Sequence, residues 1–141
     1  MNIYFACSIT GGRAFEPVYQ EFTRILLSDQ HEVPTAHLAE TNVVAIEKVI
    51  DAREVYERDV TWIRACDALI AEVSVPSHGV GYEIGFALSA GKPVLCLAQA
   101  GIAVSKMITG NPHPVWQVKY YQDVAEGIGI IRAFLSGFIC E

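Results

Sequence analysis

Positive charge is scarce in this sequence and nowhere gathered: ten Lys and Arg stand against sixteen Asp and Glu, a formal net charge of -6, with no basic run. Binding a nucleic-acid backbone draws on clustered cations, so no polymeric nucleic acid is expected as a partner. No apolar run approaches the roughly 20 residues of a membrane-spanning helix. The amino-terminal MNIYFACSI lacks a basic stretch ahead of a long apolar one, so neither export nor membrane attachment is expected. Cysteine is sparse, with Cys7, Cys66, Cys96 and Cys140 far apart and in no CxxC spacing. That removes the usual zinc and dithiol patterns and predicts buried free thiols, in keeping with a cytoplasmic protein. Charged residues are only 18% of the chain against 52% hydrophobic, which removes disorder as a general description.

A chain of 141 residues fits one domain with one core, and residues 1–141 are read as a single unit. NIYFA is a short apolar strand running directly into the small-residue turn CSITGGR, and residues 16–27 follow with apolar side chains at helical spacing. A second short strand is predicted at 32–34 and one helix over 44–65. DALIAEV, KPVLCLA and VWQVKYY read as further strands, the first two buried on both faces. Helices are predicted after SVPSHGVG, ending near Gly91, at 102–108, and after Asp123, where Gly127 and Gly129 lower the propensity. Strands and helices alternating at this rhythm predict a single-domain α/β three-layer sandwich on a five-stranded parallel sheet, flavodoxin-like or Rossmann-like. In such a fold ligands bind beyond the carboxyl ends of the strands, where the loops after the first, third and fourth predicted strands lie.

The first of those loops places Ser8, Ile9, Thr10, Gly11, Gly12 and Arg13 before a helix. Glycines expose amides and hydroxyls add donors, a composition that suits either a phosphate pocket or a purely structural turn. It has neither the lysine of a P-loop nor a GxGxxG pattern. The second loop runs from Pro76 and Ser77 through Gly79 and Gly81 to Glu83. Ser77 is a second candidate phosphate donor; Glu83, read in the first turn of the following helix, is either a dipole partner or a nucleophile. Asp59 precedes Trp62 by three positions, on the border of a buried face, so it is either part of a charged outer surface or a carboxyl acid of raised pKa. Glycosidic cleavage requires two such carboxyl groups from different elements. Tyr4 is either a core residue or a hydrogen-bond partner of the nucleophile, and His37 either a ligand contact or a solvated imidazole. No spacing recommends a metal site, and no cofactor is implied.

Taken in order, Tyr4-Phe5, Ser8-Ile9, Gly11-Gly12-Arg13, Glu57-Arg58-Asp59 with Trp62, Ala71-Glu72-Val73 and the run Pro76 to Gly85 resemble the 2'-deoxynucleoside 5'-phosphate N-hydrolases, relatives of the nucleoside 2-deoxyribosyltransferases. The resemblance covers nearly the whole chain, including Val94 to Leu97, Met107-Ile108 and Val115-Trp116. It implies Glu83 as the nucleophile at the anomeric carbon, Asp59 as the proton donor to the base, and Tyr4 as the residue placing nucleophile and sugar. It further implies Ser8, Ile9 and Gly11 as the phosphate loop, with Ser77 as a second contact. Ser105 would be supplied by the neighbouring subunit of a homodimer, and the substrate would be a nucleoside 5'-monophosphate.

The sequence departs from the family pattern in three places. Thr10 stands where the mammalian deoxynucleotide hydrolase has arginine, Cys7 replaces a glycine, and residues 38–50 differ where the chain should close over the base. Tyr4 stands where ribonucleotide-cleaving relatives have phenylalanine, which implies 2'-deoxy substrates. A hydrolase acting on CMP or 5-hydroxymethyl-CMP, a deoxyribosyltransferase and a non-enzymatic nucleotide-binding domain are the alternatives.

Overall fold

The computed structural model describes residues 1–138; Cys140 lies outside the described residues. Four strands, β1 (Ile3–Ala6), β2 (Ala68–Glu72), β3 (Val94–Gln99) and β4 (Trp116–Tyr121), form one parallel sheet in the order β1-β2-β3-β4. Tyr4 aligns with Leu69, Leu69 with Val94 and Val94 with Trp116, so all four carboxyl ends open on one side.

The expected fifth strand is reduced to a single parallel bridge, Asn2 to Glu32, at the outer edge of β1 where flavodoxin-like order would put it. The reason is local. Ile3 donates to the Glu32 carbonyl, but Pro34 has no N–H with which to extend the ladder, and the chain turns as Ala36 donates to the Val33 carbonyl. The next free strand donor, Phe5 N–H, is satisfied by the Thr35 hydroxyl at 3.0 Å instead.

Helices cover both faces. Alternate residues of β1 part company, Ile3 and Phe5 packing with α1 (Glu16–Ser28) and α6 (Val124–Ser136), Tyr4 and Ala6 with α3 (Ala52–Ala65) and α4 (His78–Ser89). Every residue of β2 is buried, as its unbroken apolar run predicted, and Glu72 at its end is also buried. That carboxyl accepts from Tyr121 Oη at 3.0 Å and from Ser74 Oγ, so a polar group within the core is satisfied from the end of β4 and from the loop after β2. Cys7, Cys66 and Cys96 are buried free thiols.

The single helix expected over 44–65 is two: α2 (Val43–Glu47) and α3. Asp51 breaks it, adopting an extended backbone and accepting the Arg53 N–H at 2.9 Å as an N-cap. The apolar spacing across the break misled because Ile46 and Val49 are exposed, Val49 to 85%. A short 3-10 turn (Ala36–Ala39) precedes α2, and the predicted helix at 102–108 shrinks to one turn, α5 (Lys106–Thr109). Helix α4 stops where expected, with Gly91 at φ +73° receiving the reversal.

Gly127 lies inside α6, and a Cβ there would meet Phe22 Cζ at 2.6 Å. The Phe22 ring is itself wedged edge-on between Phe5 and Tyr121. Gly127→Ala gains about 1 kcal/mol of helix propensity, but overpacking against a ring that cannot retreat costs about 1–3 kcal/mol. A net loss of stability is expected, read as a lower urea midpoint at unchanged slope.

Candidate active site

The loops at the carboxyl end of the sheet build a cleft of ≈ 390 Å³ whose lining includes Cys7, Thr10, Glu47, Asp59, Ser77 and Glu83. At one end two glycine-rich turns meet. Ser8 is buried at the end of β1, its Oγ accepting Gly11 N–H at 3.2 Å. A Cβ on Gly11 would lie 2.5 Å from the Pro76 carbonyl, so only glycine permits the two loops to close on one another. Gly12 takes φ +118°, a conformation open to glycine. Across from this turn, Ser77 caps α4, accepting Val80 N–H at 3.3 Å. Hydroxyls, a glycine turn and the positive end of α4 therefore face a common space, a combination suited to an oxyanion.

Arg13 has a different task from the other members of its loop. Its five N–H groups go to Glu16 and to the carbonyls of Ser8, Leu38, Ala39 and Glu40, at 3.0–3.3 Å. No donor remains for a ligand, and the guanidinium instead ties the loop to the 3-10 segment.

The carboxyl groups lie deeper. Glu83 is the sixth residue of α4, in its second turn instead of the first, and so is carried away from the helix start and over the sheet. Tyr4, fully buried on the same face, donates its hydroxyl to Glu83 Oε1 at 2.6 Å. Burial pushes the Glu83 carboxyl up to about 7; the Tyr4 hydrogen bond opposes this, the Asp59 charge adds to it and Arg58 opposes it. Burial, with the Glu83 and Asp59 charges behind it, holds the Tyr4 phenol far above its ordinary range, so it remains a donor. Asp59 comes from the middle of α3. Its pKa is raised chiefly by burial, against the pull of Arg58, whose Nε donates to Asp59 Oδ1 at 2.8 Å. Cys7 lines the same cleft, but burial pushes its thiol up to about 12, which keeps it a neutral wall.

His37 lies outside the cleft lining, its Nε2 3.4 Å from Glu47 Oε1 and its ring edge-on to Trp62. Ser105 lies outside this cleft: it is exposed, caps α5, and lines an adjoining apolar cavity of ≈ 470 Å³ that shares Ser77. The fold thus gathers Ile9, Thr10, Asp59, Ser77, Gly79 and Glu83 around one space, with Tyr4 and Ser8 buried outside its lining, and leaves Ser105 apart from it. Glu47 was not singled out from the sequence, because its contact with Arg58 spans eleven residues across the helix break. Among the described residues, no group of three or more His, Cys, Asp and Glu is placed to hold a metal ion. No helix among them is long and apolar enough to cross a membrane.

The sequence pattern of the nucleoside 2-deoxyribosyltransferase family matches residues 3–115, a stretch that carries both loops and both carboxyl groups of the cleft. The chain belongs to the nucleoside 2-deoxyribosyltransferase family. Within that family it is 38% identical over 133 residues to the 5-hydroxymethyl-dUMP N-hydrolase of Danio rerio, covering 91% of this chain and 92% of the other. A chain of Methanococcoides burtonii that bears the name of a 2'-deoxynucleoside 5'-phosphate N-hydrolase is 39% identical over 113 residues, covering 80% of this chain and 93% of its own. In three dimensions the CMP N-glycosidase of Clostridium botulinum superposes with a TM-score of 0.70 at 22% identity, covering 94% of this chain and 99% of the other. That last likeness establishes a shared fold.

Proposed function

We propose that the protein hydrolyses the N-glycosidic bond of 2'-deoxynucleoside 5'-monophosphates, releasing free base and 2-deoxyribose 5-phosphate. The observation that carries this reading is the 2.6 Å Tyr4–Glu83 hydrogen bond at the floor of a cleft that also holds Asp59 and ends in two hydroxyl-bearing glycine turns. The phosphate sits between Ser8, Ile9, Thr10 and Gly11 on one side and Ser77 and Gly79 on the other, and its binding energy fixes the sugar over Glu83. A Glu83 oxygen attacks the anomeric carbon as the bond to the base breaks, and Asp59 supplies the proton that the departing base takes up. Water then attacks the same carbon, the ester bond to Glu83 breaks, and the water's spare proton returns to Asp59. The sequence is heterolytic throughout and calls for no redox cofactor.

Activity in this scheme needs Glu83 ionised and Asp59 protonated together, so kcat/KM follows a bell in pH, with the Glu83 ionisation at about 7 as one of its limbs. The recessed phenol of Tyr4 keeps the second Glu83 oxygen free to attack while it holds the first. Ser105, exposed beside the strongly exposed Met107, is proposed to reach the phosphate of a second copy in a homodimer. Light scattering that returned a monomer at assay concentration would remove that part of the reading.

The test is a panel of deoxy- and ribonucleoside 5'-monophosphates with the matching unphosphorylated nucleosides, free base and sugar phosphate being followed by chromatography. Base release confined to deoxynucleoside monophosphates is the expected result. Release from ribonucleotides alone moves the assignment to ribonucleotide hydrolysis, and release only in the presence of an acceptor base moves it to transfer.

A further inference from the structure

We infer that Arg58 is a positioning residue for the proton donor of this reaction, aimed by Glu47 from the segment that covers the cleft. The inference rests on the hydrolytic reading for the role of Asp59 and on the geometry for everything else. Arg58 and Asp59 are consecutive on α3, so their side chains leave the helix about 100° apart. A long side chain in that position ordinarily runs out into solvent. Here the guanidinium turns back: Nε donates to Asp59 Oδ1 at 2.8 Å, while Nη1 and Nη2 donate to Glu47 Oε1 and Oε2 at 3.0 and 3.3 Å. Its plane lies over the Trp62 ring, 5.0 Å from the centroid. The side chains of Arg58, Glu47 and Asp59 are only 19%, 13% and 16% exposed, which separates this bridge from an ordinary surface ion pair.

Two consequences for the reaction follow from that arrangement. With Oδ1 occupied by an N–H donor, a proton on Asp59 sits on Oδ2, which has no hydrogen-bond partner among the described residues and belongs to a side chain lining the cleft. Arg58 thus selects which oxygen presents the proton to the base. Glu47 in turn orients the fork, since a guanidinium that donates two parallel hydrogen bonds to one carboxylate has a fixed plane. Lysine at position 58 keeps the charge and loses the plane.

The charges around Asp59 also give the bridge a signature that packing alone does not have. Facing Asp59 are Arg58 on its own helix, Glu47 on α2, His37 on the 3-10 turn, Glu83 on α4 and Tyr4 on β1. Removing Arg58 leaves Glu47 and Asp59 as unscreened like charges and favours the protonated Asp59. Removing the Glu47 charge leaves the whole guanidinium to Asp59 and favours its ionised form. The two neighbouring substitutions therefore act in opposite directions.

The experiment compares Arg58→Gln, Arg58→Lys and Glu47→Gln with wild type by carbon-13 NMR titration of the Asp59 carboxyl in the free protein, together with kcat and KM. Arg58→Gln is expected to raise the Asp59 midpoint by about one pH unit and Glu47→Gln to lower it by a similar amount. Arg58→Gln is also expected to lower kcat by about tenfold or more with KM within about threefold, the split of an interaction used in the transition state. Arg58→Lys should return the midpoint to near the wild-type value while kcat stays depressed. Midpoints that do not move, or that move in the same direction in the Gln variants, overturn the proposal. So does full recovery of kcat in Arg58→Lys. The titration is read without substrate, so a wild-type protein that released no base would defeat the hydrolase reading and leave the bridge still tested.

Discussion

Glu83→Gln is expected to lower base release by at least about three orders of magnitude, because the amide cannot form the bond to the anomeric carbon that replaces the bond to the base. Nucleotide binding should survive within about threefold, since phosphate contacts at the two glycine turns dominate ground-state affinity. The substitution is nearly isosteric, and the Gln carbonyl still accepts the Tyr4 hydroxyl, so the local structure is retained. Isothermal titration with a nucleoside monophosphate and the chromatographic assay read the two quantities separately. Equal activity in variant and wild type removes Glu83 from the chemistry.

The same variant has an expected thermodynamic mark. Burial pushes the Glu83 carboxyl up to about 7 in the folded chain against the 4.5 of an ordinary glutamate, so between those values the native state holds a proton that the unfolded state has released. Wild-type stability therefore falls as pH rises from about 4.5 to about 7, and the deficit persists above it. Glu83→Gln carries no such penalty and should be the more stable protein at pH 8, on the order of 2 kcal/mol after discounting for cleft water. The advantage should vanish near pH 4.5. Thermal unfolding of both proteins across this range checks the sign, and a variant less stable than wild type at pH 8 contradicts the desolvation account of the Glu83 pKa.

Asp59→Asn is expected to lower kcat by about two to four orders of magnitude on ordinary bases, the range for loss of a general acid. The reason is the charge left on the departing base. A base expelled without a proton leaves as an anion into a cleft that already holds the Glu47 and Glu83 carboxyl groups. Leaving-group chemistry makes the prediction specific. The N7-methylated base of 7-methyl-dGMP departs neutral and needs no proton, so the deficit of Asp59→Asn should shrink by at least about tenfold with that substrate. An equal deficit on dGMP and its 7-methyl derivative assigns Asp59 to positioning or to water activation.

Stability and activity are coupled at this site. Tyr4 and Glu83 bury a phenol and a carboxyl face to face on the sheet, an arrangement that an aliphatic pair would fill at lower desolvation cost. The short hydrogen bond offsets part of that cost. The remainder appears as the raised Glu83 pKa, which makes the carboxylate more basic than a surface glutamate.

Much of this was legible from residue order. Apolar runs marked β1, β2 and β3, and βαβ alternation placed the carboxyl ends of the strands and their loops on one side, because a parallel crossover leaves no other choice. The second strand failed at Pro34, where a missing donor counts for more than apolar composition, and the long helix failed at Asp51, where a cap counts for more than periodicity. Gly127 and Gly129 weakened the α6 prediction; the reason for Gly127 is contact with Phe22, about a hundred residues away in the chain, and no contact accounts for Gly129.

Residue order alone supplied the set of parts: a parallel α/β domain, two glycine-hydroxyl loops, and the candidate residues Tyr4, Asp59 and Glu83. These follow from local periodicity, turn chemistry and motif order, all of which are properties of neighbours along the chain. It takes the folded chain to show that Tyr4 meets Glu83 across 79 positions, that Arg13 is consumed largely by carbonyls in and beside the 3-10 turn, and that Glu47 reaches Arg58 over the Asp51 break. Those contacts depend on which face of the sheet a side chain leaves and how far a helix carries it, quantities set by packing between elements and invisible to spacing within one.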